Sequence, residues 1–328
     1  MITFKKIAAL FLRVIISVIL LVILFKISKI SLRDLAMDIK GADKLLLITG
    51  FGIFFFSYFL GFLRWRMLLK AAGICIPLRK LISSFSGGIF FSIFLPSTIG
   101  GDIVRTADLG EHTKKVKSVI ASVFLDRLSG YIGLVMIILP AILLGKDLIQ
   151  DRIVFSSVTA IVIVLAIVLL VLFNSRIYSL ISKFLSAPGA GRVKETIKDI
   201  HQEIHIFRNH KRVIICNLAL SVLIQVISPL SIYFIGCALG LKINFIYFLI
   251  FLPIIGAITL IPISIGGLGL REGLFVVYFA KAGVIKQLAL AMSLLSFSFI
   301  VIYGSIGGII YVLTVRHRRL QSNQPSRV

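Results

Sequence analysis

Leu95-Pro-Ser-Thr-Ile-Gly-Gly-Asp-Ile-Val-Arg105 and Ile261-Pro-Ile-Ser-Ile-Gly-Gly-Leu-Gly-Leu-Arg271 are two stretches of this chain that align without gaps. Eight of the eleven positions match: an aliphatic residue, Pro, Ser or Thr, Ile, two Gly, a second aliphatic residue and the final Arg. Each stretch follows an apolar segment that runs into its proline, from 81 and from 245 respectively. The two halves of the chain therefore carry one motif at corresponding places, which indicates an internal repeat.

The composition is that of a membrane protein. Hydrophobic residues make up 59% of the 328, the mean hydropathy is +1.07 and only 15% of residues are charged. Soluble domains have ~45–50% apolar residues. The net charge of +23 does not indicate nucleic-acid binding, because the Lys and Arg residues lie in short segments between apolar runs. Basic residues in that position are expected on the cytoplasmic side of a membrane.

Six apolar runs are long enough to cross a bilayer, which takes ~20 residues in a helix. A helix is the expected state of each, because only helices and closed barrels satisfy their own backbone groups in lipid. The first run follows Lys5 and Lys6 but has no small-residue cleavage site, so we expect an uncleaved helix. The predicted spans are Ile7–Phe25, Leu45–Phe62, Ser118–Leu144, Ile153–Phe173, Val213–Leu239 and Leu288–Leu313.

Charge placement orients these spans. Basic clusters at 64–80 and 105–117 put both ends of the segment 81–104 in the cytoplasm. The basic loop 174–212 and the tail after 315 are also placed inside, so the segment 245–284 starts and ends outside. Both segments are therefore predicted to be re-entrant hairpins of opposite sense, with both termini cytoplasmic.

The predicted fold is an all-α polytopic membrane protein with six transmembrane helices plus two oppositely oriented re-entrant hairpins in an inverted repeat. It is a single integral membrane domain, 1–328, with a first repeat at 45–144 and a second at 213–314. Between them, the loop 174–212 is predicted to carry an amphipathic helix on the cytoplasmic surface. Inverted repeats with broken helices are typical of secondary transporters.

The motif residues suit an anion site where each helix is broken. Proline removes a backbone donor, the glycines permit a tight turn, and a helix restarted there presents its positive N-terminus. The alternative is that the glycines only allow helices to pack closely. The predicted site residues are Pro96, Thr98, Gly100, Gly101, Asp102 and Arg105 in the first motif, and Pro262, Ser264, Gly266, Gly267, Gly269, Arg271 and Glu272 in the second.

Asp126 and Arg127 are the other candidates, because they are charged residues inside a predicted span. Such groups are costly in lipid and are usually paired or functional. A ligand role for Asp126 and a structural ion pair with a motif arginine both stay open. Arg64 and Arg66 are interpreted as interfacial anchors beside Trp65.

The sequence shows no catalytic constellation, and neither a metal site nor a cofactor is expected. The three cysteines have no CxxC spacing. His201 and His205 lie four residues apart but lack the HExxH arrangement, so a solvated helix face is the favoured interpretation.

These features resemble the lysylphosphatidylglycerol synthase transmembrane-region family, whose members are also called flippase-like domain proteins. The resemblance covers roughly residues 5 to 315 and rests on Arg64-Trp-Arg66, Leu95-Pro96, Gly100-Gly101-Asp102, Arg105, Asp126-Arg127, Pro262, Ser264, Gly266-Gly267, Gly269 and Arg271-Glu272. It implies a bacterial or archaeal cytoplasmic-membrane protein that moves modified or polyprenyl-linked lipids between leaflets. Lysyl-transferring members carry a cytoplasmic catalytic domain after the membrane region; this sequence ends at Val328 without one, so aminoacyl transfer is not expected.

The leading hypothesis is a lipid flippase or translocase for an anionic, aminoacylated or polyprenyl-phosphate-type lipid. Both hairpin tips would bind its head group, and the acyl chains would stay in the bilayer. The alternative is a non-catalytic partner or scaffold of a cell-envelope glycosyltransferase or lipid-modifying enzyme; an intramembrane lipid-modifying enzyme is a third hypothesis. Membrane lipids are the expected partners, and an envelope-biosynthesis enzyme and a second copy in a homodimer stay open.

Overall fold

The structure is a computed structural model that describes residues 4–28, 30–95, 99–148, 150–173 and 210–322. The predicted amphipathic helix of the 174–212 loop, and Pro96 and Thr98 of the first motif, lie outside the described residues. All regular elements within the described ranges are α-helices. In chain order they are α1 (Phe4–Ser28), α2 (Leu32–Gly41), α3 (Lys44–Ala71), α4 (Leu78–Phe94), α5 (Ile99–Thr113), α6 (Val116–Leu144), α7 (Arg152–Phe173), α8 (Lys211–Ala238), α9 (Phe245–Ile258), α10 (Leu270–Ala280) and α11 (Lys286–Ser322).

Five of these helices, α3, α6, α7, α8 and α11, are long and apolar enough to cross a membrane. They correspond to the last five predicted spans, and the protein is accordingly a polytopic helical membrane protein. The first predicted span lies in α1, a 25-residue helix whose apolar part with described side chains runs from Val14 to Lys26. The helix α3 continues nine residues past the predicted end at Phe62, to Ala71, which places Arg64 within a regular helix.

Short polar side chains fix where several helices begin. Asp43 accepts hydrogen bonds from the backbone N–H groups of Leu45 and Leu46 at 2.8 and 3.1 Å and so caps α3. Asn244 caps α9 through the N–H of Ile246 at 2.9 Å. Because the first N–H groups of a helix have no partner within it, these caps satisfy donors that would otherwise be left open.

Each sequence motif lies where one helix ends and another begins, but the two breaks differ. Gly266, Gly267 and Gly269 form a turn with φ angles of 57°, 77° and 81°, which favour glycine. Gly100 and Gly101, in contrast, belong to the first turn of α5 and have no positive φ. The prediction of a tight turn at these two positions is therefore wrong.

Gly101 instead allows α4 and α5 to approach each other closely. A Cβ atom at this position would lie 2.0 Å from the carbonyl oxygen of Gly88 on α4. At Gly100, a Cβ atom would lie 2.3 Å from Cβ of Leu95, where α4 ends. The packing alternative that the sequence left open thus accounts for the first pair of glycines.

The helices of the two halves pack in matching ways. The central contact joins α3 to α8, and each half packs its own broken pair, α4 on α5 and α9 on α10. In this comparison α3, α4, α5 and α6 of the first half correspond to α8, α9, α10 and α11 of the second half. Each main contact among these eight helices then has a matching contact: α4 packs on α11 as α9 packs on α6, and α5 packs on α6 as α10 packs on α11. The helices α1, α2 and α7 lie outside this pattern.

Candidate functional site

A chain of buried ion pairs joins α3, α5 and α6. Nε of Arg64 lies 2.8 Å from Oδ1 of Asp126, and Nη2 of Arg105 lies 3.2 Å from Oδ2 of the same carboxylate. The same Nη2 lies 3.0 Å from Oδ1 of Asp102, one turn earlier on α5. Nε of Arg127 completes the chain at 2.6 Å from Oδ2 of Asp102. We call these five residues the arginine cluster.

The arginine cluster carries more positive than negative charge. Three guanidinium groups face two carboxylates, which leaves one positive charge in excess. The side chains of Arg64, Asp102, Arg105 and Asp126 are only 6–13% exposed, whereas that of Arg127 is 38% exposed. Buried charges cost several kcal/mol unless they are paired, so the pairing explains why the cluster is tolerated among apolar helices.

Aromatic packing holds Arg105 in place. Its guanidinium lies over the Trp65 ring, 4.5 Å from the centroid, and 5.9 Å from the centroid of Phe85. Trp65 is fully buried and donates its indole N–H to Oγ of Ser122 at 3.3 Å. Nε of Arg105 is buried and has no hydrogen-bond partner among the described residues. Such a donor is costly to bury and is a candidate for a ligand contact.

The arginine cluster lines a cavity of about 300 Å³. All five members contribute to its wall, together with residues of α3, α4 and α8. Its other polar lining side chains are Ser57, Tyr58, Ser92 and Ser228. We call this space the arginine cavity. Its walls come from both halves of the sequence, because α8 lies in the second half.

The second motif forms a different arrangement. The carboxylate of Glu272 is fully buried and accepts the backbone N–H of Gly269 at 2.6 Å, which caps α10. Arg271 pairs with the same carboxylate and lies 4.5 Å from the centroid of the Phe297 ring. Oγ of Ser293 on α11 lies 3.4 Å from Oε1 of Glu272. Arg271 is thus neutralised by its neighbour in the chain, whereas Arg105 is paired both with Asp102 on its own helix and with Asp126 on α6.

The helix α1 packs against this second motif. Ser17 accepts a hydrogen bond from the N–H of Ile265 at 3.1 Å. A Cβ atom on Gly269 would lie 2.6 Å from Cβ of Leu20, so the glycine is needed for this approach as well as for its φ angle. The second motif is therefore covered by α1 in this structure.

The predicted site residues separate into two groups. Gly101, Asp102, Arg105, Asp126 and Arg127 line the arginine cavity. Among the described residues that line it, none belongs to the second motif, so this structure does not join both motifs in one cavity. The remaining described candidates outside its wall are Gly100, Pro262, Ser264, Gly266, Gly267, Gly269, Arg271 and Glu272.

Sequence reasoning missed Arg64 as a member of the cluster. It was interpreted as an interfacial anchor, but it pairs with Asp126 and also donates to Oγ of Ser221 on α8 at 3.0 Å. The signal was present: Arg64 lies two residues after the predicted end of an apolar run that continues as one helix. Of the two roles left open for Asp126, the ion pair with a motif arginine is present, and its partner is Arg105.

In the part of the chain that the structure describes, no group of three or more His, Cys, Asp or Glu side chains could hold a metal ion. The three cysteines are free; Cys75 and Cys216 are exposed and Cys237 is half-buried.

Comparison with known proteins places this arrangement in a family. Residues 10–308 match the family described as "Lysylphosphatidylglycerol synthase TM region". The chain belongs to this family. A UPF0104 membrane protein of Methanothermobacter thermautotrophicus is 24% identical over 275 residues, which cover 77% of this chain and 80% of the relative. A second, from Pyrococcus horikoshii, is 24% identical over 253 residues, or 71% and 76% of the two chains. No solved structure matches the chain.

The match covers every helix that contributes to the arginine cavity, since α3 to α8 all lie within residues 10–308. Family membership and the apolar helices together identify a multi-pass membrane protein with archaeal relatives. The names of the relatives state no substrate.

Proposed function

We propose that this protein is a lipid translocase that moves an anionic, phosphate-bearing lipid between the leaflets of the cytoplasmic membrane. The observation that carries the proposal is the arginine cavity, where three guanidinium groups face two carboxylates among apolar helices. A lipid phosphate or other anionic head group would neutralise the excess positive charge. Polyprenyl phosphates belong to this class; aminoacylated lipids share its phosphate, although their ammonium groups offset the phosphate charge.

The chemistry of arginine favours such a ligand. A guanidinium presents several donors in a fixed planar fork that matches phosphate oxygens, and it stays charged when buried. Arg105 has its Nε buried without a partner among the described residues, and Arg127 is the most exposed member of the cluster. We infer that Arg127 meets the head group as it enters and that Arg105 binds it at the base of the cavity, above Trp65.

We propose that the two broken helix pairs, α4–α5 and α9–α10, are re-entrant hairpins of an inverted repeat. The eight matching motif positions and the exchange of packing contacts between the halves support this layout. In such repeats the two halves exchange conformations so that a site faces each side in turn. In this scheme both termini lie in the cytoplasm, which the distribution of basic clusters supports.

In this scheme the two arginines serve the lipid at different stages. Arg105 lines the arginine cavity, while Arg271 lies outside its wall and is neutralised by Glu272. The head group would reach Arg271 only after the halves have exchanged conformations. A shared role of both motifs then needs a second conformation rather than one joint cavity.

A leaflet-exchange assay tests the proposal. The protein is reconstituted into phosphatidylcholine vesicles that contain a trace of phosphatidylglycerol or of a polyprenyl phosphate, and exchange of each lipid between leaflets is measured. We expect faster exchange of the phosphate monoester or anionic lipid than of phosphatidylcholine. No exchange above protein-free vesicles would contradict the proposal and favour a scaffold for an envelope enzyme, whereas a changed lipid mass would favour an intramembrane enzyme.

A further inference from the structure

A second, larger cavity lies beside the arginine cavity. It has a volume of about 630 Å³, and its walls are one face of α6, one face of α7, and the end of α9 with the turn that follows. Aliphatic side chains dominate the lining, among them Leu128, Val164, Leu165 and Ile258. We call this space the apolar cavity.

Among the described residues, Arg127 is the one that lines both cavities. On the polar side its Nε donates to Asp102 at 2.6 Å. One turn further along α6, Tyr131 lines the apolar cavity. Arginine suits such a boundary, because its methylene stem packs against apolar surface while its guanidinium stays with polar groups. A molecule with a charged end and an apolar tail would fit across Arg127.

The apolar cavity also connects the two halves of the chain. The helix α6 belongs to the first half and α9 to the second, and the lining continues to Leu260 and Ile261. Ile261 directly precedes Pro262 of the second motif. The apolar cavity therefore extends from Arg127, in the wall of the arginine cavity, to Ile261 at the second motif.

We propose that the apolar cavity binds a hydrocarbon chain of the same lipid whose phosphate occupies the arginine cavity. This inference rests on the proposed function and sharpens it, because the acyl chains were expected to remain in the bilayer. Its volume lies within the ~300–1,000 Å³ of typical ligand sites. The substrate class is then a lipid phosphate recognised by both ends, and a water-soluble phosphate ester binds more weakly than the lipid.

Two alanines allow the apolar cavity to be filled without touching the arginines. Ala160 on α7 and Ala257 on α9 both line it. Phenylalanine at either position would occupy space that the chain needs. The matched control is Ile163→Phe, because Ile163 is 53% exposed on the same helix as Ala160 and does not line the cavity.

The experiment uses the full chain in detergent and two probes, dioleoyl phosphatidylglycerol and glycerol 3-phosphate. Apparent dissociation constants are taken from the rise in thermal midpoint with probe concentration. We expect Ala160→Phe and Ala257→Phe to bind the lipid about tenfold more weakly, since displacing two methylenes suffices for that factor. Binding of glycerol 3-phosphate should be unchanged in both variants, and Ile163→Phe should match the wild type for both probes.

The thermal midpoint without probe shows whether each variant folds. If Ala257→Phe does not fold, Ala160→Phe decides the test by itself, because Ala160 lies on the more exposed wall and tolerates a larger side chain more easily. Wild-type lipid affinity in a folded variant would overturn the inference. An equal loss of affinity for both probes would also overturn it. So would a loss of lipid affinity that appears only together with a changed oligomeric state in light scattering, because the cavity would then be assigned to contact with a second copy of the chain. If the wild type does not bind glycerol 3-phosphate, the arginine cavity is not a phosphate site, and the proposed function is contradicted. The lipid affinities of the two phenylalanine variants would still decide whether the apolar cavity binds a hydrocarbon chain.

Discussion

Arg105 donates a hydrogen bond to Asp126 across 3.2 Å and so joins α5, which begins at the first motif, to the long helix α6. Arg64 of α3 occupies the other carboxylate oxygen at 2.8 Å. One carboxylate thus fixes the relative positions of three helices. Its removal would take an ion-pair partner from two buried guanidinium groups, those of Arg64 and Arg105. The arginine cavity depends on this carboxylate for its shape.

Replacing Asp126 with Asn should therefore destabilise the protein. Asn preserves the shape but not the charge, and breaking a buried pair by removing one partner costs ~3–5 kcal/mol. We expect a clearly lower thermal midpoint in detergent and a lower abundance in the membrane. Asp34→Asn, on the exposed surface of α2, is the control and should stay near the wild type. An unchanged midpoint for Asp126→Asn would show that the arginines are hydrated rather than held by this carboxylate.

A pair of glycine substitutions tests the close contact of α4 and α5. Gly101→Ala places a Cβ atom 2.0 Å from the carbonyl oxygen of Gly88, so the two helices must separate and the arginine cavity must widen. Gly52→Ala in α3 meets no atom within 4 Å and should raise the stability slightly, because Ala is favoured over Gly in helices by ~1 kcal/mol. The check is the thermal midpoint of each variant; equal midpoints would be incompatible with the packing described.

Much of the fold could be predicted from the sequence, because the bilayer restricts it. Apolar runs of spanning length have one stable local structure, and five of the six predicted spans have a helix of sufficient length and hydropathy. The motif match also located the two places where one helix ends and the next begins, between α4 and α5 and between α9 and α10. Spans and breaks follow from local composition, which the sequence contains.

Interactions between distant helices were harder to predict. Asp102 and Arg127 were both recognised as candidates, but their ion pair depends on how α5 lies against α6. The sequence indicated an interfacial anchor at Arg64, because a basic residue that directly follows an apolar run is expected at the membrane interface. The helix α3 instead continues past Arg64 to Ala71. The conformation of Gly100 and Gly101 was also mistaken, since a Gly-Gly pair suits both a turn and a tight helix crossing.

The two motif arginines should respond differently to substitution. Arg271→Ala leaves the fully buried carboxylate of Glu272 without its partner, so we expect a loss of stability of ~3–5 kcal/mol. Adding Glu272→Gln should restore most of it, because Gln can still accept the N–H of Gly269. Thermal midpoints of the single and double variants decide this. A double variant as unstable as Arg271→Ala alone would show that the arginine stabilises the motif in another way.

An ion pair outside the spans gives a pH-dependent contribution to stability. Lys281, after α10, donates to Asp151, before α7, and lowers the pKa of this carboxyl below its ordinary value of 3.8. Because the pKa of Asp151 is lower in the folded protein than in the unfolded chain, the ion pair stabilises the fold above about pH 3.8. This stabilisation is lost as the pH falls through the pKa of Asp151 in the folded protein. We expect Asp151→Asn to remove this part of the acid destabilisation in thermal melts from neutral to acid pH. A variant with the same acid profile as the wild type would contradict the pairing.

In the proposed function, the excess positive charge of the arginine cavity selects an anionic lipid for transfer. The most direct measurement is the ratio of leaflet-exchange rates for phosphatidylglycerol and phosphatidylcholine in vesicles that contain the wild type, Arg127→Gln or Arg79→Gln. Arg79 is an exposed arginine at the start of α4 and serves as the charge-matched control. We expect a ratio well above one for the wild type and the control, and a ratio near one for Arg127→Gln at unchanged protein content. An equal preference for the anionic lipid in all three proteins would contradict it.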